Sequence, residues 1–214
     1  MVKFGDLKLE VLTVILLALG VYVVGSVPTA YILVRLAKGD DIRESGSGNV
    51  GALNAYQHAG AWAGLTVLLV DTGKGVLAVA APRLLGFDDW VLFVTTPLVV
   101  AGHNWPVFLG FRGGKGAAAI FGISLAIVPW LTVITFGPSI LVMLGLRNVV
   151  LGAAFGFILL NTLLWVTGQG TQQVVLCLLL TALVTGTYVV NVREHIVSSI
   201  RTRQWRELFL QLAG

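Results

Sequence analysis

Long apolar runs separated by short polar loops dominate the amino-acid sequence. An α-helix needs about 20 apolar residues to cross a bilayer. The runs that reach or approach this length predict helices near 11–37, 57–84, 90–110, 115–145, 149–167 and 171–193. This pattern predicts an all-α, polytopic membrane helix bundle.

The run 115–145 is too long for one straight crossing. Its roughly 31 residues would form a helix of about 46 Å, whereas the apolar core of a bilayer is about 30 Å thick. The run also contains Pro129, Gly137 and Pro138, any of which can bend or end a helix. It is therefore either one bent helix or two short crossings.

The distribution of basic residues favours two crossings. Basic residues cluster in a first loop near Arg43, in a second loop near Lys115 and in the tail after Arg193, and such clusters usually face the cytoplasm. An even number of crossings must then separate each cluster from the next. This condition predicts seven transmembrane helices with the N-terminus outside.

Composition limits the alternatives to a membrane protein. The 214 residues are 57% hydrophobic and only 11% charged, and the net charge of +4 is explained by topology rather than by nucleic-acid binding. The single cysteine, Cys177, lies in an apolar run, so one chain cannot form a disulfide. We predict a monomer with one membrane domain, 1–214, whose segment 193–214 is a basic amphipathic tail on the cytoplasmic side.

The stretch 43–54 interrupts the apolar pattern with a polar loop. It holds three glycines, two serines and two asparagines in twelve positions and leads into an apolar run. Such a loop before a helix can direct backbone N–H groups and the helix dipole towards one anion. A second loop, 111–118, places Arg112 and Lys115 beside three glycines at the start of another run. Two such loops predict a phosphate site.

Three polar residues near the apolar runs allow more than one interpretation. Asp71 and Lys74 lie three apart on one helical face at mid-membrane depth, where they either form a buried ion pair or support a polar site. His103 lies at the end of a predicted helix, just before the second loop. It is either a buried hydrogen-bonding group or a general base. No Asp or Glu follows closely behind it in the sequence, so no His-Asp pair of the acyltransferase type is evident.

Ser47 and Lys115 are the other candidates for chemistry. The sequence supplies Ser47 with no base, so hydrogen bonding to a phosphate is favoured over covalent catalysis. Lys115 offers its ammonium group to an anion, or else sets the topology of its loop. We find no metal-ligand spacing, no dinucleotide fingerprint and no Walker A loop, and so we predict no metal and no cofactor.

Four segments together resemble the PlsY family of bacterial membrane acyltransferases. They are Gly25-Ser26-Val27-Pro28-Thr29-Ala30-Tyr31, Asp41-Ile42-Arg43 with Gly46 to Ala52, Asp71 with Lys74-Gly75, and Gly102-His103 through Pro106-Val107-Phe108 to Gly113-Gly114-Lys115-Gly116. The resemblance covers about residues 20–125 in order and spacing, with a weaker echo at Arg193-Glu194.

The resemblance implies an enzyme of the bacterial inner membrane with a cytoplasmic active site. It would move an acyl chain from acyl phosphate to the 1-position of glycerol 3-phosphate, giving lysophosphatidate, with a substrate phosphate as the base. The resemblance implies acceptor-phosphate contacts from Ser47 and Lys115, and an acyl-phosphate pocket formed by Ser47, Gly48, Asn49, Gly51, Asn54, Gly113 and Gly114. We predict as catalytic residues Ser47, Asn54, His103 and Lys115. We predict as substrate-binding residues Arg43, Gly46, Gly48, Asn49, Gly51, Gln57, Arg112, Gly113, Gly114, Gly116, Arg193 and His195.

The chain departs from the family pattern at positions implied to bind the acceptor. Leu53 replaces a threonine, Gln57 replaces an arginine, and Val192 and His195 replace a histidine and an asparagine. An amide cannot reproduce the bidentate guanidinium at a phosphate. A different acceptor with the same donor therefore stays open, as do an anion or phospho-metabolite transporter and an inactive structural or regulatory relative.

Overall fold

The computed structural model describes residues 4–146 and 148–202, and within these ranges it is helical with no strand. Short 3₁₀ turns lie at Ile42–Glu44, Asp89–Val91 and Val107–Leu109. The α-helices of the described part are α1 (Phe4–Ser26), α2 (Thr29–Lys38), α3 (Ala52–Ala59), α4 (Ala61–Leu84), α5 (Leu92–Asn104), α6 (Ala117–Ile127), α7 (Pro129–Leu146), α8 (Val149–Val166) and α9 (Thr171–Thr202).

Several of these helices have the length and apolarity of membrane spans. Five stretches of the described residues qualify, and two shorter apolar helices, Ala117–Ile127 and Val150–Val166, accompany them. Their outer faces carry large exposed apolar side chains such as Leu16, Leu69 and Trp130, which a lipid environment accommodates. The predicted all-α membrane fold is confirmed, whereas seven crossings and an outside N-terminus remain predictions. The five stretches are Leu9–Lys38, Ala61–Leu84, Asp89–Leu109, Pro129–Leu146 and Thr171–Val190.

Two of the predicted helices are each divided in the structure. The run predicted as 11–37 breaks between α1 and α2 at Val27 and Pro28, because proline has no N–H and disfavours helical backbone in the residue before it. The run predicted from 57 begins earlier, as α3, and is interrupted at Gly60. Gly60 has a φ of +88°, a conformation that favours glycine.

The long run 115–145 also forms two helices. α6 ends at Ile127 and α7 begins at Pro129, with Val128 between them. Proline suits the first position of a helix, where its missing N–H costs nothing. Of the two alternatives drawn from the sequence, the structure has the divided run; whether each part crosses the membrane stays a prediction.

The chain forms two compact units, 1–126 and 127–214, and glycines set the helix packing of the first. A methyl group on Gly25 would collide with the Val99 carbonyl, and one on Gly102 with the Tyr22 carbonyl, so α1 and α5 pack backbone to backbone. Gly75 meets α6 in the same way, at the Ala119 carbonyl. Close approach through small residues is the usual way that membrane helices associate.

The second unit contains α7, α8 and α9 and has its own apolar cluster. α7 and α8 approach closely where Gly152 and Gly156 face Ser139. Asn161 on α8 donates a hydrogen bond to Thr181 Oγ1 on α9 over 3.0 Å. The predicted single domain, 1–214, stays a prediction. The buried members of the cluster are Val128, Leu160, Leu164, Val174 and Cys177.

The predicted amphipathic tail lies largely outside the described residues. The backbone of α9 is described to Thr202, which covers the start of segment 193–214. The side chains of Arg193 and His195 and the whole of 203–214 are outside the described part. Their predicted roles therefore remain predictions.

Candidate active site

The first glycine loop, residues 39–51, is organised by the side chain of Asn54. Its Nδ2 atom carries two hydrogens and lies within hydrogen-bond distance of three loop carbonyls, those of Ile42 at 3.1 Å, Ser45 at 3.1 Å and Asn49 at 3.0 Å. Asn54 is 1% exposed, so its amide reaches these carbonyls from a buried position. This geometry gives Asn54 the task of shaping the loop.

Two glycines of this loop adopt backbone conformations that side chains disfavour. Gly46 has a φ of +58° and Gly48 a φ of +68°. A methyl group on Gly46 would also come within 2.5 Å of Asn54 Oδ1 and 2.7 Å of His58 Cε1. The loop can therefore fold around Asn54 only where glycine occupies position 46.

Arg43 links the first loop to the 3₁₀ turn Val107–Leu109, which precedes the second loop. Its guanidinium donates to both carboxylate oxygens of Asp41, at 3.0 Å from Nε and 2.6 Å from Nη2, and to the Leu109 carbonyl at 3.2 Å. The hydrogen bond from Arg43 lowers the pKa of Asp41 from 3.8 to about 2, so this carboxylate is ionised at neutral pH. The structure thus holds Arg43, predicted as a substrate-binding residue, within the loop framework.

The second glycine loop is fastened to the C-terminal end of α5. The Gly113 N–H donates to the Asn104 carbonyl at 3.1 Å, and the Gly114 N–H to the His103 carbonyl at 3.0 Å. These two N–H groups satisfy carbonyls that the end of α5 leaves without helical partners. The amides of Gly113 and Gly114 therefore hold the second loop to α5, and their predicted role in binding phosphate stays a prediction.

Each loop leads directly into a helix N-terminus. The first helical bond of α3 runs from Ala55 N to Gly51 O, and that at the start of α6 from Ile120 N to Gly116 O, both at 3.0 Å. The N–H groups of the preceding first turns have no acceptor within their own helix. They belong to residues 52–54 in α3 and 117–119 in α6, and they are natural donors to an anion.

The two loops meet at Val50 and Gly114. A methyl group on Gly114 would lie 2.8 Å from the Val50 carbonyl oxygen, and Gly114 is buried. Gly116, with a φ of +78°, then turns the chain into α6 beside Asn104. The loop segments that lead into α3 and α6 therefore touch within the first unit.

The polar side chains that were predicted to contact substrate differ in their exposure to solvent. Ser47, Gln57 and Arg112 are exposed, whereas Asn49 and Lys115 are half-buried. Burial lowers the pKa of Lys115 from its usual 10.5, because a desolvated ammonium is less stable in its charged form. A bound anion beside Lys115 would offset that cost.

A buried charged cluster lies beside the junction of the loops. Lys74 Nζ donates to Asp71 Oδ1 at 2.6 Å and to the Val27 carbonyl at 2.5 Å, and these two side chains are 5% and 3% exposed. The buried ion pair expected from their spacing is present. His103 Nδ1 lies 3.7 Å from Asp71 Oδ2, so the fold supplies a His-Asp pair that sequence proximity did not reveal.

The break between α1 and α2 opens a pocket beside this cluster. The side chain of Ser26 is fully buried there. Among the described residues, no protein atom forms a hydrogen bond with its Oγ atom. Thr29 Oγ1 donates to Asp71 Oδ1 at 3.4 Å. The pocket is lined by Gly25, Ser26, Val27, Pro28, Thr29, Val50, Asp71, His103, Pro106 and Gly113.

The sequence did not show that Asp71 lies beside His103, or that Ser26 lines the same pocket as these two residues. The signal that could have revealed it was the position of Pro28 inside an apolar run, because a helix break at membrane depth leaves a carbonyl that needs a donor. Lys74 is that donor for Val27. Among the described residues no group of three or more His, Cys, Asp or Glu side chains could hold a metal ion.

The fold and the site define a polytopic helical membrane protein with a polar centre where two glycine loops meet. The chain belongs to the glycerol-3-phosphate acyltransferase family, whose model matches residues 15–198. The PlsY resemblance is thereby confirmed. Each predicted site residue remains a prediction, since family membership assigns no individual role.

Relatives with names and structures support this membership. Glycerol-3-phosphate acyltransferase of Parasynechococcus marenigrum is 36% identical over 185 residues, which cover 86% of this chain and 87% of the relative. Glycerol-3-phosphate acyltransferase 5 of Dehalococcoides mccartyi is 43% identical over 129 residues, 60% of this chain but only 55% of the relative. The match therefore spans about half the length of the latter protein.

The fold also resembles a solved structure. A crystal structure of PlsY, an integral membrane glycerol 3-phosphate acyltransferase in its glycerol 3-phosphate form, superposes with a TM-score of 0.77 at 32% identity. The match covers 87% of this chain and 93% of the PlsY chain.

Proposed function

We propose that this protein transfers an acyl chain from acyl phosphate to the 1-hydroxyl of glycerol 3-phosphate and so makes lysophosphatidate, at the first step of phospholipid synthesis. The observation that carries the proposal is the junction of the two glycine loops at Val50 and Gly114, in a chain of the glycerol-3-phosphate acyltransferase family. The glycerol 3-phosphate form of the PlsY relative supports this acceptor.

Both proposed substrates carry a phosphate group, and the site offers donors suited to phosphate. The first-turn N–H groups of α3 and α6 have no helical acceptors, and the partial positive charge of a helix N-terminus favours an anion. Lys115 adds a full positive charge between two glycines. Exposed apolar side chains on the helices around the unit suit the acyl chain of a lipid-dissolved donor.

The proposed reaction forms one bond and breaks one bond. The acceptor hydroxyl oxygen attacks the acyl carbon, the bond from that carbon to the phosphate oxygen breaks, and inorganic phosphate leaves with the electron pair. The hydroxyl proton passes to a phosphate oxygen, so the protein need not supply a base. Catalysis then depends on holding the two substrates in line and on stabilising the charge of the departing phosphate.

We assign the direct contacts to the two loops. Ser47, exposed at the tip of the first loop, would donate a hydrogen bond to a substrate phosphate, and Lys115 would neutralise the phosphate charge. Asn54 and Arg43 would act indirectly, Asn54 through the shape of the first loop and Arg43 through the attachment of that loop to the turn before the second. Arg112 and Gln57, both exposed, are available to the acceptor.

The proposed setting is the bacterial cell membrane, with the loops on the cytoplasmic side and the protein acting as a monomer. The basic residues of both loops support this orientation, and the relatives named above are bacterial proteins. A cytoplasmic site would give the water-soluble acceptor direct access from the compartment where it is made.

Product formation by the purified protein in detergent tests the proposal. Palmitoyl phosphate with glycerol 3-phosphate should give lysophosphatidate, and palmitoyl-CoA with the same acceptor should not. Hydrolysis of acyl phosphate that rises with another alcohol or amine, but not with glycerol 3-phosphate, would replace the acceptor while keeping the donor. Product from palmitoyl-CoA alone would overturn the proposed donor.

A further inference from the structure

We propose that Asp71 and His103 form a positioning pair that holds the second glycine loop against the first. The inference rests on the proposed function and adds two residues to it, neither of which touches substrate. Asp71 acts through His103, and His103 acts through the backbone of Gly114. The pair would determine how well the two loops bind both phosphate-bearing substrates.

The imidazole ring of His103 lies between Asp71 and the second loop. Its Nδ1 atom is 3.7 Å from Asp71 Oδ2. Its Nε2 atom lies against Gly114, where an added methyl group would collide with the ring and also approach the Val50 carbonyl within 2.8 Å. The ring therefore packs at the point where the two loops meet.

This placement favours positioning over proton transfer. A general base must come within hydrogen-bond distance of the proton that it accepts. One edge of the His103 ring faces Asp71, and the other faces the Gly114 backbone, while only 9% of the residue is exposed. A substrate hydroxyl could reach Nε2 only if the second loop moved away.

Asp71 is itself fixed on several sides. Lys74 donates to one carboxylate oxygen at 2.6 Å, and Thr29 donates to the same oxygen at 3.4 Å. The ammonium of Lys74 also binds the Val27 carbonyl at the break between α1 and α2. Because buried charges are expensive unless paired, this arrangement leaves the second carboxylate oxygen in one place, opposite His103.

A continuous series of contacts therefore connects the break between α1 and α2 to both loops. It runs from Val27 through Lys74, Asp71 and His103 to Gly114, and then to Val50. The His103 carbonyl accepts the Gly114 N–H at 3.0 Å, so the same residue holds the loop by its backbone and by its ring. Loss of the ring should loosen the loop without removing any group that contacts substrate.

The first test is a kinetic comparison of Asp71→Asn, His103→Asn and His103→Gln. A displacement of about 1 Å at a site can cost roughly 100-fold in rate. We expect Asp71→Asn and His103→Asn to raise KM for glycerol 3-phosphate about tenfold or more, with a smaller fall in kcat. The longer His103→Gln side chain can reach the former Nε2 position and should recover most of the loss.

The second test asks whether Asp71 acts through His103. In the double variant Asp71→Asn with His103→Asn, the loss in kcat/KM should equal that of His103→Asn alone, which marks two residues that work as a unit. If the loss in kcat/KM of the double variant instead equals the product of the two single-variant losses, the residues act independently and the proposal is contradicted. A fall in kcat with unchanged KM would also contradict it and would instead favour a role for His103 in the chemical step.

A readout that needs no substrate separates this inference from the proposed function. Hydrogen exchange at the amides of Gly113 and Gly114 should accelerate in Asp71→Asn and His103→Asn. The matched control is Thr95→Val, which removes a buried bond from α5 to the Ala78 carbonyl of α4 away from the loops, and it should leave that exchange unchanged. If the unmodified protein makes no lysophosphatidate, the proposed function fails. Unchanged hydrogen exchange at Gly113 and Gly114 in both Asp71→Asn and His103→Asn would separately overturn the positioning pair.

Discussion

The Val50 carbonyl lies so close to Gly114 that a methyl group on that glycine would come within 2.8 Å of its oxygen. Val50 belongs to the first glycine loop and Gly114 to the second, and α3, α4 and α5 separate them in the sequence. Two polar loops that are distant along the chain therefore meet at one point.

Replacement of Gly75 by alanine should destabilise the first unit. The added methyl group would collide with the Ala119 carbonyl of α6, and overpacking of this kind typically costs about 1–3 kcal/mol. Gly73→Ala on the same helix is the matched control, since no atom lies within 4 Å of its added methyl group. Thermal unfolding in detergent should show a lower Tm for Gly75→Ala only. Equal Tm values would contradict the close packing of α4 on α6.

Replacement of Asn54 by alanine should unfold the first loop locally and abolish acyl transfer. Three loop carbonyls would lose their common donor. The buried bond to the Ile42 carbonyl alone would cost about 1–3 kcal/mol when that oxygen is left without a partner. Proteolysis near residues 42–49 should therefore accelerate. Leu53→Ala, at an exposed neighbouring position of α3, provides the control for the proteolysis only. Normal loop resistance in Asn54→Ala would show that other contacts shape the loop.

Replacement of Gln57 by arginine should strengthen binding of glycerol 3-phosphate. Gln57 is exposed on α3. A guanidinium there could bind a phosphate through two charged hydrogen bonds, and an ion pair at an exposed position is worth about 0.2–1 kcal/mol. We expect KM for glycerol 3-phosphate to fall severalfold while KM for acyl phosphate stays constant. Gln57→Leu serves as the uncharged control. A KM that falls for the donor alone would assign this position to the other substrate.

The rate of acyl transfer should fall at alkaline pH as Lys115 loses its proton. Burial lowers the pKa of Lys115 below the usual 10.5. The charged, active form therefore predominates below that lowered pKa and disappears as the pH rises through it. In a plot of kcat/KM against pH, the alkaline fall should have its midpoint below pH 10.5. This fall should vanish in Lys115→Arg, because arginine stays charged. Lys38→Arg, at an exposed lysine, should leave the fall in place.

Much of the fold could be predicted from local sequence. Apolar runs and loop composition located the apolar helices and both glycine loops, and Pro129, Gly137 and Pro138 marked the region in which the long run could divide. The i, i+3 spacing of Asp71 and Lys74 gave their ion pair as one of two interpretations, and the ion pair is present. Each of these features depends on residues that are close together in the chain.

The remaining features depend on contacts between distant segments. Asp71 meets His103 only because α4 packs beside α5, and the Gly113 and Gly114 amides are bonded only because the second loop returns to the end of α5. Sequence spacing carries no information on either approach. The breaks at Val27–Pro28 and Gly60 were missed for another reason: their flanking residues are apolar enough to resemble one continuous helix.

The most direct test of the account compares lysophosphatidate formation by variants of each loop. Ser47→Ala in the first loop and Lys115→Ala in the second would be assayed with palmitoyl phosphate and glycerol 3-phosphate, beside Thr162→Ala at an exposed position of α8. Loss of one preorganised donor at an active site costs about 100- to 1,000-fold in kcat. We expect losses of this order in both loop variants and normal product in Thr162→Ala. Undiminished product in either loop variant would contradict a single site built from both loops.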